Sequence, residues 1–464
     1  MSLQNSIGKC VHEQLPDRSL TFRVVAALIC AMGFCVCLLA YYPGTLSPDS
    51  ISIYEQARNF SFIDWYSPVL ALIWAPIQLL VPGPQGILFF LLTLYWGALL
   101  VFANAAATID PRTALAMPLL GVMPFAINFA GTIWTDVLVG VSWLMCAALV
   151  FHSRIQGRRI SAAGQAIVWS LFLCGSWARP NALFAAVPLG LYILEPPRAY
   201  SFAKRAVLAV VLLAGLWLGS QLIFYAVLST KRTHPINSIL LFDIAGISHF
   251  SGKNYFPSTW SDEENAKILS ACYHPAEWDS YNPRGECSFV YRRMDDSGLW
   301  DSSGLWRPWL AAVGTEPLAY LRHRASHFVT FMTNSSTSFF HLGNSRAEAS
   351  EHLQRSWGFR IASKYVFGAA KFGIYRPVFW LVLGFVCVAA ARLCSEESRR
   401  LVATLGLSSV IYLVTYFLFG VASDFRYAYW AILATDVAAL VVACELTSRK
   451  GRLPQTRLSE MAVR

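Results

Sequence analysis

The sequence has little charge. Only 14% of its 464 residues are Asp, Glu, Lys or Arg, whereas 56% are hydrophobic. A soluble domain carries about 25% charged residues, so a soluble globular protein, a disordered chain and a coiled coil are excluded. The net charge of +10, from 37 basic and 27 acidic residues, does not indicate nucleic-acid binding, because the basic residues lie mostly between hydrophobic segments. The composition predicts a polytopic membrane protein.

Motifs of nucleotide chemistry are also missing. The chain contains no P-loop, no GxGxxG and no Ser-nucleophile elbow, which disfavours ATP-driven transport by this chain alone. Its 11 cysteines lack the spacing of a zinc site. Cys272 and Cys287 bracket a turn in a segment that we expect outside the cytoplasm, which favours a disulfide bond between them. Two buried free thiols are the alternative.

The sequence does contain a series of charge-poor apolar runs. A bilayer core of about 30 Å needs about 20 apolar residues in a helix. Six long runs lie at 24–42, 86–109, 113–135, 160–178, 206–230 and 401–423, and shorter ones at 137–151, 180–194, 377–391 and 427–444. We therefore predict an all-α fold with about ten transmembrane helices, seven within residues 1–230 and three within 377–447.

The basic residues test this count, because Lys and Arg concentrate in cytoplasmic loops. With ten spans, the basic clusters at 154–159, 198–205, 392–400 and 449–452 all fall on one side of the membrane. The short loops of the other side carry mostly acidic residues. We therefore predict a multi-pass protein of the cytoplasmic (inner) membrane with both termini in the cytoplasm and a basic cytoplasmic tail at 448–464.

The first outer loop is predicted at residues 43–85. Its apolar run at 67–81 is short and contains two prolines, so we expect an interfacial helix there rather than a span. Trp65, Tyr66 and Trp74 are then expected at the level of the lipid headgroups.

Residues 231–376 have the only sustained polar composition in the chain. They predict one α-rich extracytoplasmic domain. Within it, His323 and His327 are four residues apart and are interleaved with Arg322 and Arg324. This pattern predicts a basic helix face against lipid headgroups.

Isolated carboxylates at the outer ends of spans are the first candidates for chemistry. Asp49 follows Ser47 and Pro48 just beyond the first span, and Asp136 is the only charge between two apolar runs. A carboxylate so near hydrocarbon is usually functional, as a general base or a cation ligand. The alternative is capping, because Ser47 or Asp49 suits the cap of a short helix and Asp136 suits a first turn. For Asp64, an interfacial cap is the stronger interpretation.

Isolated arginines form a second group. Arg179 is the sole charge in a tight outer turn, and Arg426 lies at the outer end of the last hairpin. Arginine binds phosphate through two parallel hydrogen bonds. Snorkelling is the alternative for Arg179, and a local pair with Asp424 is the alternative for Arg426. Asp436 is the one acid inside a span and needs a basic partner or a water-filled cavity.

The layout resembles that of the polytopic GT-C glycosyltransferases, the superfamily of the protein O-mannosyltransferases and of the bacterial transferase that adds aminoarabinose to lipid A. The resemblance covers about residues 24–230, with a weaker match at 423–429. Members carry an essential acid soon after the first span, where Asp49 stands in Ser-Pro-Asp-Ser, and a second acid after the third span, where Asp136 falls. The segment that begins at Asp64 resembles their acid-then-proline start of an interfacial helix. Many relatives have His-Pro or Pro-Pro where this chain has Ser67-Pro68 after Tyr66.

The resemblance implies an enzyme that transfers a sugar from a polyprenyl-phosphate donor to a glycan, lipid or protein acceptor at the outer membrane face. Asp49 would deprotonate the acceptor or, with Asp136, hold a divalent cation, the one cofactor that the resemblance leaves open. Arg179 and Arg426 would bind the donor phosphate. Three further residues are expected in supporting positions: Asp64, Tyr54 and Tyr427.

Two other classes of protein stay open. A transporter or lipid flippase predicts charges at mid-membrane and broken helices in matching halves, and Asp436 is the one residue that fits. A non-catalytic scaffold, whose outer domain binds a partner, predicts that Asp49, Asp136 and Arg179 all tolerate substitution by Ala.

The predicted orientation is testable with reporter fusions. A fluorescent protein fused after residue 158 is expected to fluoresce, because that loop is cytoplasmic. Alkaline phosphatase, which needs an oxidising compartment for its disulfides, is expected to be active when fused after residue 280 and inactive after residue 158. Phosphatase activity at residue 158 would contradict the orientation.

Overall fold

The computed structural model describes residues 18–197, 199–334 and 356–461. The structure is 75% helical, and its described residues contain no β-strand, which confirms an all-α membrane protein. The helices up to residue 221 are α1 (Arg18–Tyr41), α2 (Pro48–Asn59), α3 (Pro68–Leu80), α4 (Gln85–Ala106), α5 (Pro111–Ala114), α6 (Ala116–Leu120), α7 (Pro124–Ala130), α8 (Thr135–Ile155), α9 (Ala162–Ala178), α10 (Ala182–Leu194) and α11 (Phe202–Gln221).

The helices that follow lie in residues 231–334, which we call the polar region, and in the C-terminal part of the chain. They are α12 (Ile236–Ser251), α13 (Asp262–Ser270), α14 (Ser288–Asp296), α15 (Trp306–Thr315), α16 (Pro317–Thr333), α17 (Trp357–Ala369), α18 (Pro377–Ala390), α19 (Glu396–Val414), α20 (Tyr416–Phe419) and α21 (Tyr429–Met461). The predicted basic tail therefore largely continues α21 as helix, and residues 462–464 lie outside the described part.

Six helical segments in the described chain are long and apolar enough to cross a membrane. They are Leu20–Tyr41, Gln85–Ala106, Thr135–Ile155, Phe202–Val227, Glu396–Phe419 and Phe425–Arg449. All six overlap predicted spans. Three further predicted spans fall on the shorter apolar helices Ala162–Ala178, Ala182–Leu194 and Pro377–Leu393. The protein is thus a multi-pass membrane protein, and the count of ten spans stays a prediction.

The remaining predicted span, 113–135, is not one continuous helix, so the prediction is wrong in that respect. It is broken between α6 and α7, whose axes meet at a bend of 50°. The break has a local cause, because Pro124 at the start of α7 has no N–H to donate and disfavours helical backbone before it. After α7 the chain is extended, and Thr132 forms a parallel bridge with Thr45 of the first loop.

The first loop, residues 43–85, packs against the rest of the protein. A helix is present at the predicted position, 67–81, as α3, and its Trp74 is fully buried within the protein. The Trp74 ring packs 5.0 Å from the Tyr54 ring of α2, and its N–H donates to the Gly83 carbonyl at 3.2 Å. Trp65 packs against the rings of Trp278 and Trp300 in the polar region. The sequence could not anticipate these contacts, because aromatic residues suit both an interface and a core.

The polar region, residues 231–334, has its own hydrophobic core. Helix α12 crosses it with an almost wholly buried surface, and α13 to α16 pack around that helix. Cys272 and Cys287 are joined by a disulfide bond. Of the predicted extracytoplasmic domain, residues 335–355 lie outside the described part. Its last helix, α17, packs against α1, where Gly358 contacts the backbone of Leu39 and Ala40.

Helix α16 does not present a basic face to lipid. His323, Arg324 and His327 are fully buried, so that prediction is wrong for these three side chains. Arg324 Nε lies 2.7 Å and His323 Nε2 lies 3.1 Å from Asp243 Oδ1 of α12. A buried guanidinium requires a paired carboxylate, and Asp243 lies 81 residues before Arg324, beyond the reach of local pattern analysis.

We expect the polar region to lose stability on acidification. Burial lowers the pKa of His327 to about 4, whereas an unfolded histidine titrates near ~6.5. The folded state then resists protonation, so stability is complete above pH ~6.5 and is lost as the pH falls toward 4, by about 3 kcal/mol in total.

The measurement is the unfolding temperature of purified protein between pH 7.5 and 5. His327→Gln should reduce the dependence on pH, and the exposed His249→Gln serves as a control that should retain it. An unchanged pH dependence in His327→Gln would contradict this origin.

Candidate functional site

Five of the residues predicted from sequence meet at one end of the helices. Asp49 lies in the first turn of α2, Asp136 in the first turn of α8, and Arg179 directly after α9. Arg426 and Tyr427 lie in the short 3₁₀ helix that precedes α21. We call this group, with the residues that bind it, the Asp/Arg cluster.

The side chain of Asp49 is available because Ser47 caps α2. The Ser47 hydroxyl accepts from the Ser50 N–H at 3.3 Å, so the cap interpretation applies to Ser47 and not to Asp49. Trp134 Nε1 donates to the same hydroxyl at 2.7 Å and joins the start of α2 to the segment before α8. The first turn of α2 is thereby fixed without using the Asp49 carboxylate.

Asp49 is bound on both of its oxygens. The Tyr66 hydroxyl donates to Oδ1 at 3.1 Å, and Arg426 Nη1 donates to Oδ2 at 2.9 Å. The Asp49 side chain nevertheless keeps 30% of its surface exposed. Burial and the neighbouring Asp49 charge raise the pKa of Tyr66, which keeps this phenol protonated as a donor.

Arg426 is the centre of the cluster. Besides Asp49, its guanidinium contacts Asp424, with Nε 3.1 Å from Oδ2, and donates from Nη2 to the Tyr427 hydroxyl at 3.2 Å. The guanidinium carbon lies 4.5 Å above the Trp134 ring. Arginine tolerates this arrangement because its planar group accepts stacking and in-plane hydrogen bonds together.

Arg179 and Asp136 form a second ion pair at 2.5 Å. The Asp136 side chain is only 3% exposed, whereas Arg179 keeps 21%. Arg179 Nη2 donates to the Tyr416 hydroxyl at 3.3 Å, and the guanidinium lies 4.7 Å from the centre of the Tyr427 ring. Arg179 Nε has no hydrogen-bond partner among the described residues. Asp136 therefore holds Arg179, and Arg179 retains a free donor.

The Tyr427 ring lies between the two arginines. Its centre is 4.7 Å from the guanidinium carbon of Arg179 and 5.0 Å from that of Arg426. The ring stacks on Tyr416 at 5.2 Å. Two guanidinium groups thus lie close to one aromatic ring beside the partly exposed Asp49, in a largely buried setting where their charges act strongly.

One residue of the polar region approaches the cluster. Asp279 interacts electrostatically with Asp49 and Arg426, and partial desolvation together with the Asp49 charge raises its pKa. Sequence reasoning missed Asp279, because the contact depends on how loop 274–279 docks. That docking uses a hydrogen bond from the Trp278 N–H to the Val421 carbonyl at 2.9 Å. Tyr66 and Tyr416 were also missed as site residues, and tyrosines of a membrane protein carry no local signal for such a role.

Two predicted supporting residues lie elsewhere. Asp64 accepts hydrogen bonds from the Tyr225 hydroxyl at 2.8 Å and the Thr233 N–H at 2.6 Å, which joins the first loop to the start of the polar region. Tyr54 packs on Trp74. Both residues support the fold of the first loop, and neither contacts the Asp/Arg cluster directly.

The carboxylates do not fit a resident divalent cation. No group of three or more His, Cys, Asp or Glu side chains suited to a metal ion occurs within the described ranges. Asp49 and Asp136, the pair predicted for this role, are each bound to an arginine instead. Asp436 has one buried carboxylate oxygen with no hydrogen-bond partner in the described chain, and no basic residue is paired with it there. Its role stays open.

Comparison with known proteins adds no assignment: no protein-family model matches the chain, and no curated protein matches it. The chemical reading of the site therefore depends on its geometry. Three aspartates pair with two arginines here, and tyrosine hydroxyls join them; of the three carboxylates, that of Asp49 is the most exposed.

The Asp136–Arg179 pair makes a testable prediction about stability. Asp136→Ala leaves a guanidinium of low exposure without its partner, so we expect a loss of roughly 3 kcal/mol, the low end for breaking a buried pair. Asp136→Ala/Arg179→Ala removes both charges and is expected to recover part of that loss. Thermal unfolding of the two single variants and the double variant measures the coupling. Additive losses would contradict an energetically coupled pair.

Proposed function

We propose that this protein is a membrane glycosyltransferase of the GT-C type, which transfers a sugar from a polyprenyl-phosphate donor to an acceptor hydroxyl at the outer face of the cytoplasmic membrane. The observation that carries the proposal is the Asp/Arg cluster: an exposed carboxylate, Asp49, stands beside the guanidinium groups of Arg426 and Arg179. Acceptor deprotonation and phosphate departure need these two kinds of group side by side.

The arginines suit the donor phosphate. In the transfer, the bond between the anomeric carbon and the phosphate oxygen breaks, and the polyprenyl phosphate leaves with the electron pair. Its added negative charge is stabilised by guanidinium donors that are already in place. The Arg179 side chain keeps 21% of its surface exposed, and its orientation is fixed by Asp136 and Tyr416. In this proposal Asp136 is a positioning residue for Arg179.

Asp49 suits the acceptor. The acceptor oxygen forms the new bond to the anomeric carbon, and its proton passes to the Asp49 carboxylate. Tyr66 and Arg426 hold that carboxylate in one orientation. A positioned general base contributes about 10²–10⁴-fold to a rate. The charge of Arg426 is shared between Asp49 and Asp424, so a donor phosphate that binds Arg426 would weaken its hold on Asp49 and make the base stronger.

In this proposal the acceptor approaches Asp49 from the polar region. Asp279, in the loop that docks on Val421, interacts electrostatically with Asp49 and is our candidate to bind a hydroxyl-rich acceptor. The nature of this acceptor, whether glycan, lipid or protein, is not part of the proposal.

The test compares wild type with Asp49→Asn on a panel of polyprenyl-phosphate sugars, measuring sugar release and unfolding temperature. We expect the wild type to consume a donor and the variant to lose about 10²–10⁴-fold in rate. The variant is expected to stay folded with a modestly lower unfolding temperature, because Asn keeps the shape and Arg426 retains its pair with Asp424.

Glu55→Gln is the matched control. Glu55 is an exposed carboxylate on the same helix, and its substitution should leave the rate unchanged. If the wild type neither binds nor consumes any donor, the transferase proposal is overturned, and the transporter and scaffold interpretations remain.

A further inference from the structure

A polar cavity lies at the end of helix α8 that is opposite to the Asp/Arg cluster. It has a volume of about 730 Å³ and is formed by the start of α1 and the ends of α4 and α8. We call it the α1/α4/α8 groove. Its lining consists of Arg23, Val24, Ala27, Leu100, Asn104, Thr108, His152, Ile155, Gln156 and Arg158.

The groove is separate from the Asp/Arg cluster. Asp136 lies in the first turn of α8 and His152 in its last turn. Sixteen residues of helix separate them, or about 24 Å at 1.5 Å per residue. Since α8 is long and apolar enough to cross a membrane, the groove and the cluster lie near opposite bilayer interfaces.

The groove is basic and has no acidic lining residue. Arg23 and Arg158 form no ion pair within the described residues, and both lie close enough to the His152 ring to interact with it electrostatically. Asn104 adds a buried side-chain oxygen that has no hydrogen-bond partner in the described chain. The groove therefore gathers two unneutralised guanidinium groups around a polar floor whose hydrogen-bonding capacity is unused.

The apolar part of the lining points to the kind of ligand. Val24 and Ala27 lie farther into α1 than Arg23, and Leu100 lies farther into α4 than Asn104, so these apolar residues extend from the polar lining toward the middle of the helices. Val24 and its neighbour Val25 are exposed. A ligand with a phosphate group and an acyl chain would place its phosphate on the arginines and its chain along the exposed surface of α1.

We propose that the α1/α4/α8 groove binds the phosphate headgroup of an anionic membrane lipid, with Arg23 and Arg158 as the phosphate ligands and Asn104 Oδ1 as an acceptor for a headgroup hydroxyl. Guanidinium groups bind phosphate oxygens in pairs, and basic pockets between transmembrane helices are suited to anionic headgroups. The site does not depend on the proposed transferase activity.

The experiment measures lipid binding to the purified full-length protein by native mass spectrometry and by the shift in unfolding temperature. The probes are phosphatidylglycerol and phosphatidylcholine, with glycerol 3-phosphate and inorganic phosphate as soluble counterparts. Wild type should prefer phosphatidylglycerol to the other probes. Arg23→Gln/Arg158→Gln should weaken that binding about tenfold or more, since each basic residue contributes about 1 kcal/mol near an anionic surface.

Arg159→Gln is the matched control, because Arg159 adjoins Arg158 in sequence, is exposed and does not line the groove. It should bind phosphatidylglycerol as wild type does. If the double variant does not fold, Asn104→Leu provides the test: it should weaken headgroup binding while the added apolar group leaves folding intact.

Three outcomes would overturn the proposal. Equal binding of phosphatidylcholine and phosphatidylglycerol would show that the groove does not recognise the headgroup charge. An equal effect of Arg159→Gln would assign the binding to general surface charge. Binding of glycerol 3-phosphate as tight as that of the lipid would overturn the lipid source and indicate a soluble phosphate ligand.

Discussion

Arg426 joins parts of the chain that are otherwise far apart. Its guanidinium binds Asp49, 377 residues earlier, and Asp424, two residues earlier, and it stacks on Trp134 at the start of α8. A guanidinium with little access to water needs such partners, because its desolvation is offset only by paired carboxylates and hydrogen bonds. The positions of the first loop, of α8 and of the last helix at this end of the molecule all depend on this requirement.

A second buried arginine supports the first. Arg324 binds Asp243 within the polar region and donates from Nη1 to the Gly420 carbonyl at 2.9 Å. Directly after Gly420, the Val421 carbonyl accepts from the Trp278 N–H, and Ala422 bridges to Glu277. The segment that contains Asp424 and Arg426 is therefore held in place by contacts with the polar region. This explains why a region outside the spanning helices bears on the geometry of a site at their ends.

The two ends of α8 differ in how their charges are neutralised. At the Asp136 end, Arg179 and Arg426 each have a carboxylate partner, and the buried atoms without a hydrogen-bond partner in the described chain include Nε of both arginines and Oδ1 of Asp136. At the His152 end, Arg23 and Arg158 have no such partner in the described chain. The first arrangement is a preorganised site in which charge is balanced before a ligand binds. The second is a basic surface on which the described residues supply no carboxylate.

The sequence by itself determined that this is a multi-pass α-helical membrane protein, and it singled out most of the charged residues that meet in the Asp/Arg cluster, because hydropathy and isolated charge are local properties. The apolar runs identified all six membrane-length helices, and Asp49, Asp136, Arg179, Arg426 and Tyr427 were identified before any contact was known. Only the tertiary structure decided how these side chains pair, that Ser47 and not Asp49 caps α2, and that α16 is buried. The tertiary structure also decided which partners Asp64 and Tyr54 contact, and it showed that the predicted span at 113–135 is broken. Pairing, burial and the break at Pro124 depend on which segments pack together, and packing is a property of residues distant in sequence.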